Sequence, residues 1–86
     1  MFERNVIVRN KIGLHARPAA KVVAEGNKYK SLMTIKKGDK VVNMKSILGV
    51  LSIAAMCGDE IIVQAQGEDE VEAVEAVVRV IEAIEE

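Results

Sequence analysis

Five of the six glycines, Gly13, Gly26, Gly38, Gly58 and Gly67, fall between short stretches of regular hydrophobic periodicity, and only Gly49 lies inside one. Glycine outside a periodic stretch marks a turn or a cap, so these positions cut the chain into elements joined by short connections. Residues 3–9 place Val6 and Val8 on one side of β-branched Ile7, the alternation of a strand, and residues 10–14 form a loop. In residues 16–25 Ala19, Val22 and Val23 recur at helical spacing, and Gly26-Asn27 supplies a stop. Residues 31–37 and 40–44 read as two strands about the turn signal Gly38-Asp39.

Ser46 can cap a second helix running from Ile47 to about Cys57, with Gly58 as its left-handed end. Residues 60–66 alternate Ile61, Val63 and Ala65 with Gln64 and Gln66, a half-buried strand closed by Gly67. Asp69 and Glu72 form a capping-box pattern ahead of a last helix whose stripe is Val71, Val74, Val77, Val78, Ile81 and Ile84. The order is β-α-β-β-α-β-α over residues 1–86, read as a single α+β domain with a sheet covered on one face by helices.

A chain of 86 residues buries only about 60–65% of its unfolded surface, so any functional site must lie on the outside of one small core. With Phe2 and Tyr29 as its two aromatics, that core must be aliphatic. No run reaches the roughly 18 apolar residues of a membrane span, and the opening Met-Phe-Glu-Arg-Asn-Val lacks a signal-peptide layout; a cytoplasmic protein is expected. One cysteine, Cys57, and one histidine, His15, make neither an internal disulfide nor a zinc-spaced cluster, so no metal and no cofactor are expected.

Charge is divided along the chain. Residues 1–45 carry 11 Lys and Arg against 3 acids, a net +8, and residues 46–86 carry 1 Arg against 10 acids, a net −9. A basic face would suit an anionic ligand or an acidic protein partner. Nucleic acid is a remote partner, because the basic half has only Phe2 and Tyr29 for stacking and no recognisable motif.

The stretch Gly13-Leu14-His15-Ala16-Arg17-Pro18-Ala19-Ala20 puts the one histidine where a loop becomes a helix. Pro18 fits only in the first helical turn, where its missing N–H costs nothing. His15 then stands at the cap, with the N–H groups of Ala16 and Arg17 pointing out beside the imidazole, and the helix dipole stabilises a phosphoryl dianion there. Arg17 adds a guanidinium fork able to bind phosphoryl oxygens bidentately. Spacing alone makes this a candidate anion site with a nucleophile in it. A capping or surface histidine, or a regulatory domain binding a small anionic metabolite, fits that spacing too.

This stretch resembles the active-site signature of HPr, the histidine-containing phosphocarrier family of the bacterial phosphoenolpyruvate-dependent sugar phosphotransferase system. A second block, Asn43-Met44-Lys45-Ser46-Ile47-Leu48-Gly49-Val50-Leu51-Ser52, resembles the family's regulatory serine segment at the expected separation. The resemblance implies an open-faced β-sandwich with four antiparallel strands and three helices on one side. It implies phosphorylation of His15 on Nδ1 by enzyme I, itself charged by phosphoenolpyruvate, and donation to sugar-specific IIA domains, with Arg17 stabilising the phosphoryl group. Such a protein is a carrier and not an enzyme in the turnover sense. In Gram-positive members the serine corresponding to Ser46 is phosphorylated by HPr kinase/phosphorylase, which promotes binding to catabolite control protein A. Phosphate at a helix N-cap is stabilised by the dipole, and a plain cap is compatible with that role.

The second helix carries more apolar surface than a sheet-facing helix needs. Val50, Ile53, Ala54 and Cys57 form one stripe and Ile47, Leu48, Leu51 and Ala55 another, together an arc of about 220°. The surplus stripe, at Ile47, Leu48 and Leu51, together with Ala20 and Lys21 on the first helix, is the expected partner-docking face of a monomer. Ile12, Ala20, Ala24 and Asn27 depart from the family's usual hydroxyl or basic residues, with Lys21 and Lys28 as basic neighbours. The main rival is an HPr-like, purely regulatory protein acting through Ser46, recognised by lacking the active histidine, which this chain has.

Overall fold

The computed structural model describes residues 1–85. Its elements are β1 (Phe2–Ile7), α1 (Ala16–Gly26), β2 (Leu32–Lys37), β3 (Lys40–Asn43), α2 (Ile47–Ser52), β4 (Glu60–Gln66) and α3 (Glu70–Glu82). The four strands form one antiparallel sheet in the order β1-β4-β2-β3. The alternation that marked the strands decides which side is inside. Val6 pairs with Ile61, Ile35 with Val63, and Met33 with Ala65, and all six side chains are buried. The intervening Ile7, Leu32 and Val41 are exposed on the opposite face.

Helix α3 lies across β1 and β4, α1 packs on α3, and α2 bridges α1 and β3. All three helices therefore cover the apolar side of the sheet, giving the open-faced sandwich that the family resemblance implied. The core is aliphatic, with Val8, Val22, Ile35, Met44, Val50, Ile61, Val63, Val74 and Val77 fully buried. Helix α1 buries Ala19, Val22 and Val23, the stripe read from its periodicity, together with Pro18.

Two details differ from the sequence reading. Helix α2 stops at Ser52, not near Cys57. Its last carbonyl, Ser52 O, accepts from Lys40 Nζ at 2.6 Å, and Ala54 O, two residues beyond the helix, accepts from Lys37 Nζ at 3.0 Å. Ala54 sits at φ +52°, a left-handed conformation rare for a residue with a Cβ, and turns the chain so that Ala55 is buried while Ala54 and Cys57 are exposed. Gly49, within α2, is explained by contact: a Cβ there would lie 2.7 Å from the Asn43 carbonyl oxygen.

The second difference is at the start of α3, where the Asp69 side chain does not cap its own helix. It accepts instead from Lys30 N–H (2.9 Å), Ser31 N–H (3.0 Å) and Ser31 Oγ (2.5 Å), tying α3 to the loop before β2, while Glu70 accepts from Gly67 N–H. Val71, expected in the inward stripe, is half exposed, and the buried stripe is Ala73, Val74, Ala76, Val77, Val78 and Ile81.

The bonds from Ser31 and Lys30 hold the Asp69 carboxyl down from 3.8 to about 2. A carboxylate whose folded pKa is depressed stabilises the fold above its unfolded pKa and loses that contribution as pH falls through the folded one. Asp69→Asn should therefore lower the midpoint of thermal unfolding at pH 7, with the difference from wild type shrinking between about pH 4 and pH 2. Identical unfolding curves at pH 7 would show that the tie contributes nothing.

Candidate functional site

The loop between β1 and α1 carries His15 and is held from three sides. Gly13 N–H donates to Asn10 O (3.2 Å), and the Asn10 side-chain Nδ2 donates to Gly13 O (2.7 Å). Leu14 N–H donates to Ala55 O at 2.9 Å, joining the loop to the chain leaving α2, and the Leu14 side chain is buried. Gly13 adopts φ +81°, and a Cβ there would meet the Ala55 carbonyl oxygen at 2.3 Å, so this position requires glycine on both counts. His15 N–H then donates to Gly13 O at 3.0 Å.

His15 is the N-cap residue of α1, with extended backbone (φ −87°, ψ −172°) and no side-chain capping bond. The first helical bond runs from Ala19 N–H to the His15 carbonyl, and Pro18 occupies the first turn as its missing N–H demands. By helix geometry the Ala16 and Arg17 N–H groups point out of this end beside the imidazole. The ring is half-buried, with Nε2 enclosed and without a partner among the described residues. Arg17 is exposed on the same turn. A half-buried, uncapped imidazole at a helix N-terminus, with a guanidinium two residues on, can take an electrophile at a ring nitrogen and hold an anion there.

The other expected residues fall on two helices that pack together. Ala20 and Lys21 are exposed on α1. On α2, Ile47 is 44% and Leu48 80% exposed, Leu51 is half-buried, and Ala55, the fourth of that stripe, is buried beyond the helix end. Val50 and Ile53 face the core. Ser46 caps α2, its Oγ accepting from Gly49 N–H at 3.1 Å and its carbonyl from Val50 N–H at 3.0 Å. The His15 loop abuts the chain leaving the C-terminal end of α2, whereas Ser46 stands at the N-terminal end. Sequence reading missed Asn10 and Ala55 as supports of the loop. The Asn-x-x-Gly spacing of residues 10–13 is a turn signal that finds the first; nothing local marks the second.

Among the described residues no group of three or more His, Cys, Asp or Glu could hold a metal, and no helix is long and apolar enough to cross a membrane.

Comparison with known proteins places this arrangement. Residues 2–83 match the family model described as the PTS HPr component phosphorylation site. The chain is 49% identical over 75 residues to the HPr-like protein Crh of Bacillus subtilis, covering 87% of this chain and 88% of that one. A crystal structure of that Crh, 45% identical and matched at TM-score 0.77 over 95% of this chain and 94% of that chain, is described as a swapped, intertwined dimer. The chain is 40% identical over 77 residues to the phosphocarrier protein HPr of Mycoplasma capricolum, covering 90% and 86% respectively. The crystal structure of HPr from Thermoanaerobacter tengcongensis superimposes at TM-score 0.92 with 42% identity over 96% of this chain and 93% of that one.

Proposed function

This chain belongs to the HPr family of phosphocarriers of the phosphotransferase system, and from that premise we propose that it accepts a phosphoryl group from phospho-enzyme I on His15 and passes it to sugar-specific IIA domains. It acts as a single HPr domain over residues 1–86, in the cytoplasm and as a monomer. The observation that carries this reading is His15 itself, an uncapped imidazole at the N-terminus of α1.

In the transfer, the Nδ1 lone pair forms a bond to phosphorus as the donor's bond to phosphorus breaks, and the reverse exchange loads the IIA acceptor. The chain ends each cycle unchanged, so it is a carrier and not a catalyst. The Ala16 and Arg17 N–H groups and the Arg17 guanidinium stabilise the phosphoryl oxygens in the bound state and during transfer. The exposed Ile47 and Leu48, with Leu51, Ala20 and Lys21, form the docking face for enzyme I and the IIA domains. The test is incubation with phosphoenolpyruvate and enzyme I: an acid-labile, base-stable phosphate should form, and an unlabelled chain would sink the carrier reading.

The identity to Crh favours a second reading, a purely regulatory protein acting through phosphorylated Ser46 in catabolite repression. His15 weighs against it, and the two roles are compatible in one chain. HPr kinase/phosphorylase would phosphorylate Ser46 and catabolite control protein A would bind the product. Negative charge at this cap, at the edge of the docking face, opposes an acidic partner, so Ser46→Asp should slow phosphorylation by enzyme I roughly 3–10-fold. Unchanged initial rates would leave Ser46 as a cap alone.

A further inference from the structure

Asn10 and Ser31 are the buried polar side chains among the described residues. Ser31 is accounted for by Asp69, and Asn10 is not accounted for in the same way. Its Nδ2 makes one short bond, 2.7 Å to the Gly13 carbonyl, while its Oδ1 is enclosed without a partner among the described residues. A half-satisfied buried amide costs stability, and an aliphatic side chain would fill a site 7% exposed better than an amide does. What the amide supplies is position. The carbonyl it holds is the one that also accepts from His15 N–H at 3.0 Å, so Asn10 and His15 meet on a single oxygen. The second enclosed, unpartnered polar atom among the described residues, Nε2 of His15, belongs to the same segment.

We propose that Asn10 is a positioning residue for His15: by clamping the Gly13 carbonyl it sets the peptide from which the imidazole stands at the head of α1, and with it the direction of the ring nitrogens. The inference deepens the reading of His15 as phosphoryl acceptor and rests on it. Leu14 is anchored separately to Ala55, so the loop stays on the fold without the clamp. The imidazole loses its fixed bearing, which near-attack geometry penalises steeply.

Asn10→Ala and Asn10→Asp test this. The first deletes the clamp, and the second keeps its shape but replaces the donor with an acceptor facing a carbonyl. Both should lower kcat for phosphorylation by enzyme I with phosphoenolpyruvate about tenfold. KM for the carrier should stay within about twofold, because the docking face is untouched. The 15N and 1H resonances of the His15 ring should shift in both variants, a readout that needs no phosphorylation. Should the wild type not be phosphorylated, the carrier reading falls, and the ring resonances still decide the role of Asn10. Wild-type kcat with only a lowered melting temperature, ring resonances identical to wild type, or loss of the fold in both variants would each overturn the assignment.

Discussion

Replacing His15 by alanine should abolish the acid-labile phosphate formed from phosphoenolpyruvate and enzyme I while changing folding stability by no more than about 0.5 kcal/mol. The two halves of this expectation come from the same geometry. The imidazole caps nothing, its Nε2 has no partner among the described residues, and the first helical bond uses the backbone carbonyl, which alanine keeps. Residues 10–20 offer no other hydroxyl, thiol or imidazole to take the group. Ser46 would form a phosphoester, which survives acid. Gel-resolved labelling with an acid wash, beside a thermal melt, checks both halves. Residual acid-labile label in a folded variant would move the acceptor elsewhere.

Gly13→Ala should cost about 2–4 kcal/mol and remove most of the phosphorylation rate with it. Two penalties add at this residue. A left-handed φ of +81° strains any residue with a Cβ, and that Cβ would lie 2.3 Å from the Ala55 oxygen, a backbone atom that cannot rotate away. Relief requires opening the Leu14–Ala55 hydrogen bond, which releases the His15 loop from the chain leaving α2. For a domain of this size the loss is a large fraction of the total stability. A urea titration gives the first number and initial rates at low temperature the second. A variant as stable as wild type would show that the loop has room the structure does not display.

Much of the fold was legible because its signals are local. Strict alternation in residues 60–66 and the Gly38-Asp39 turn marked β4 and the β2–β3 hairpin, and the pairing of Ile35 with Val63 follows from burying one face of each. Pro18 fixed the start of α1 for reasons of dihedral and missing N–H alone, and the Gly26-Asn27 signal fell at its end. The end of α2 was not legible. Residues 53–57 have a helical pattern, but Lys40 and Lys37, from the hairpin, take the Ser52 and Ala54 carbonyls, and Ala54 turns the chain instead. Asp69 reads as a cap from its spacing to Glu72, yet it bonds to Lys30 and Ser31, 39 and 38 residues earlier, because a folded chain offers an acid donors that no sequence window contains.

The candidate site divides along the same line. His15, Arg17 and Pro18 lie within four residues, and the chemistry of a helix N-terminus follows from their order, so the sequence by itself was enough to propose an anion site with a nucleophile. It also determined that α2 has more apolar surface than the sheet can cover, and the exposure of Ile47 and Leu48 agrees. Only the tertiary structure decided how the nucleophile is held. Asn10 turns inward onto the Gly13 carbonyl within the loop, and Ala55, 41 residues after Leu14, receives the Leu14 N–H, a contact that exists because α1 and α2 pack side by side. Periodicity and caps are set by bonds along the chain. The hold on the His15 loop is completed by a bond across the chain, from Leu14 N–H to the Ala55 carbonyl, and that is made only once the core has closed.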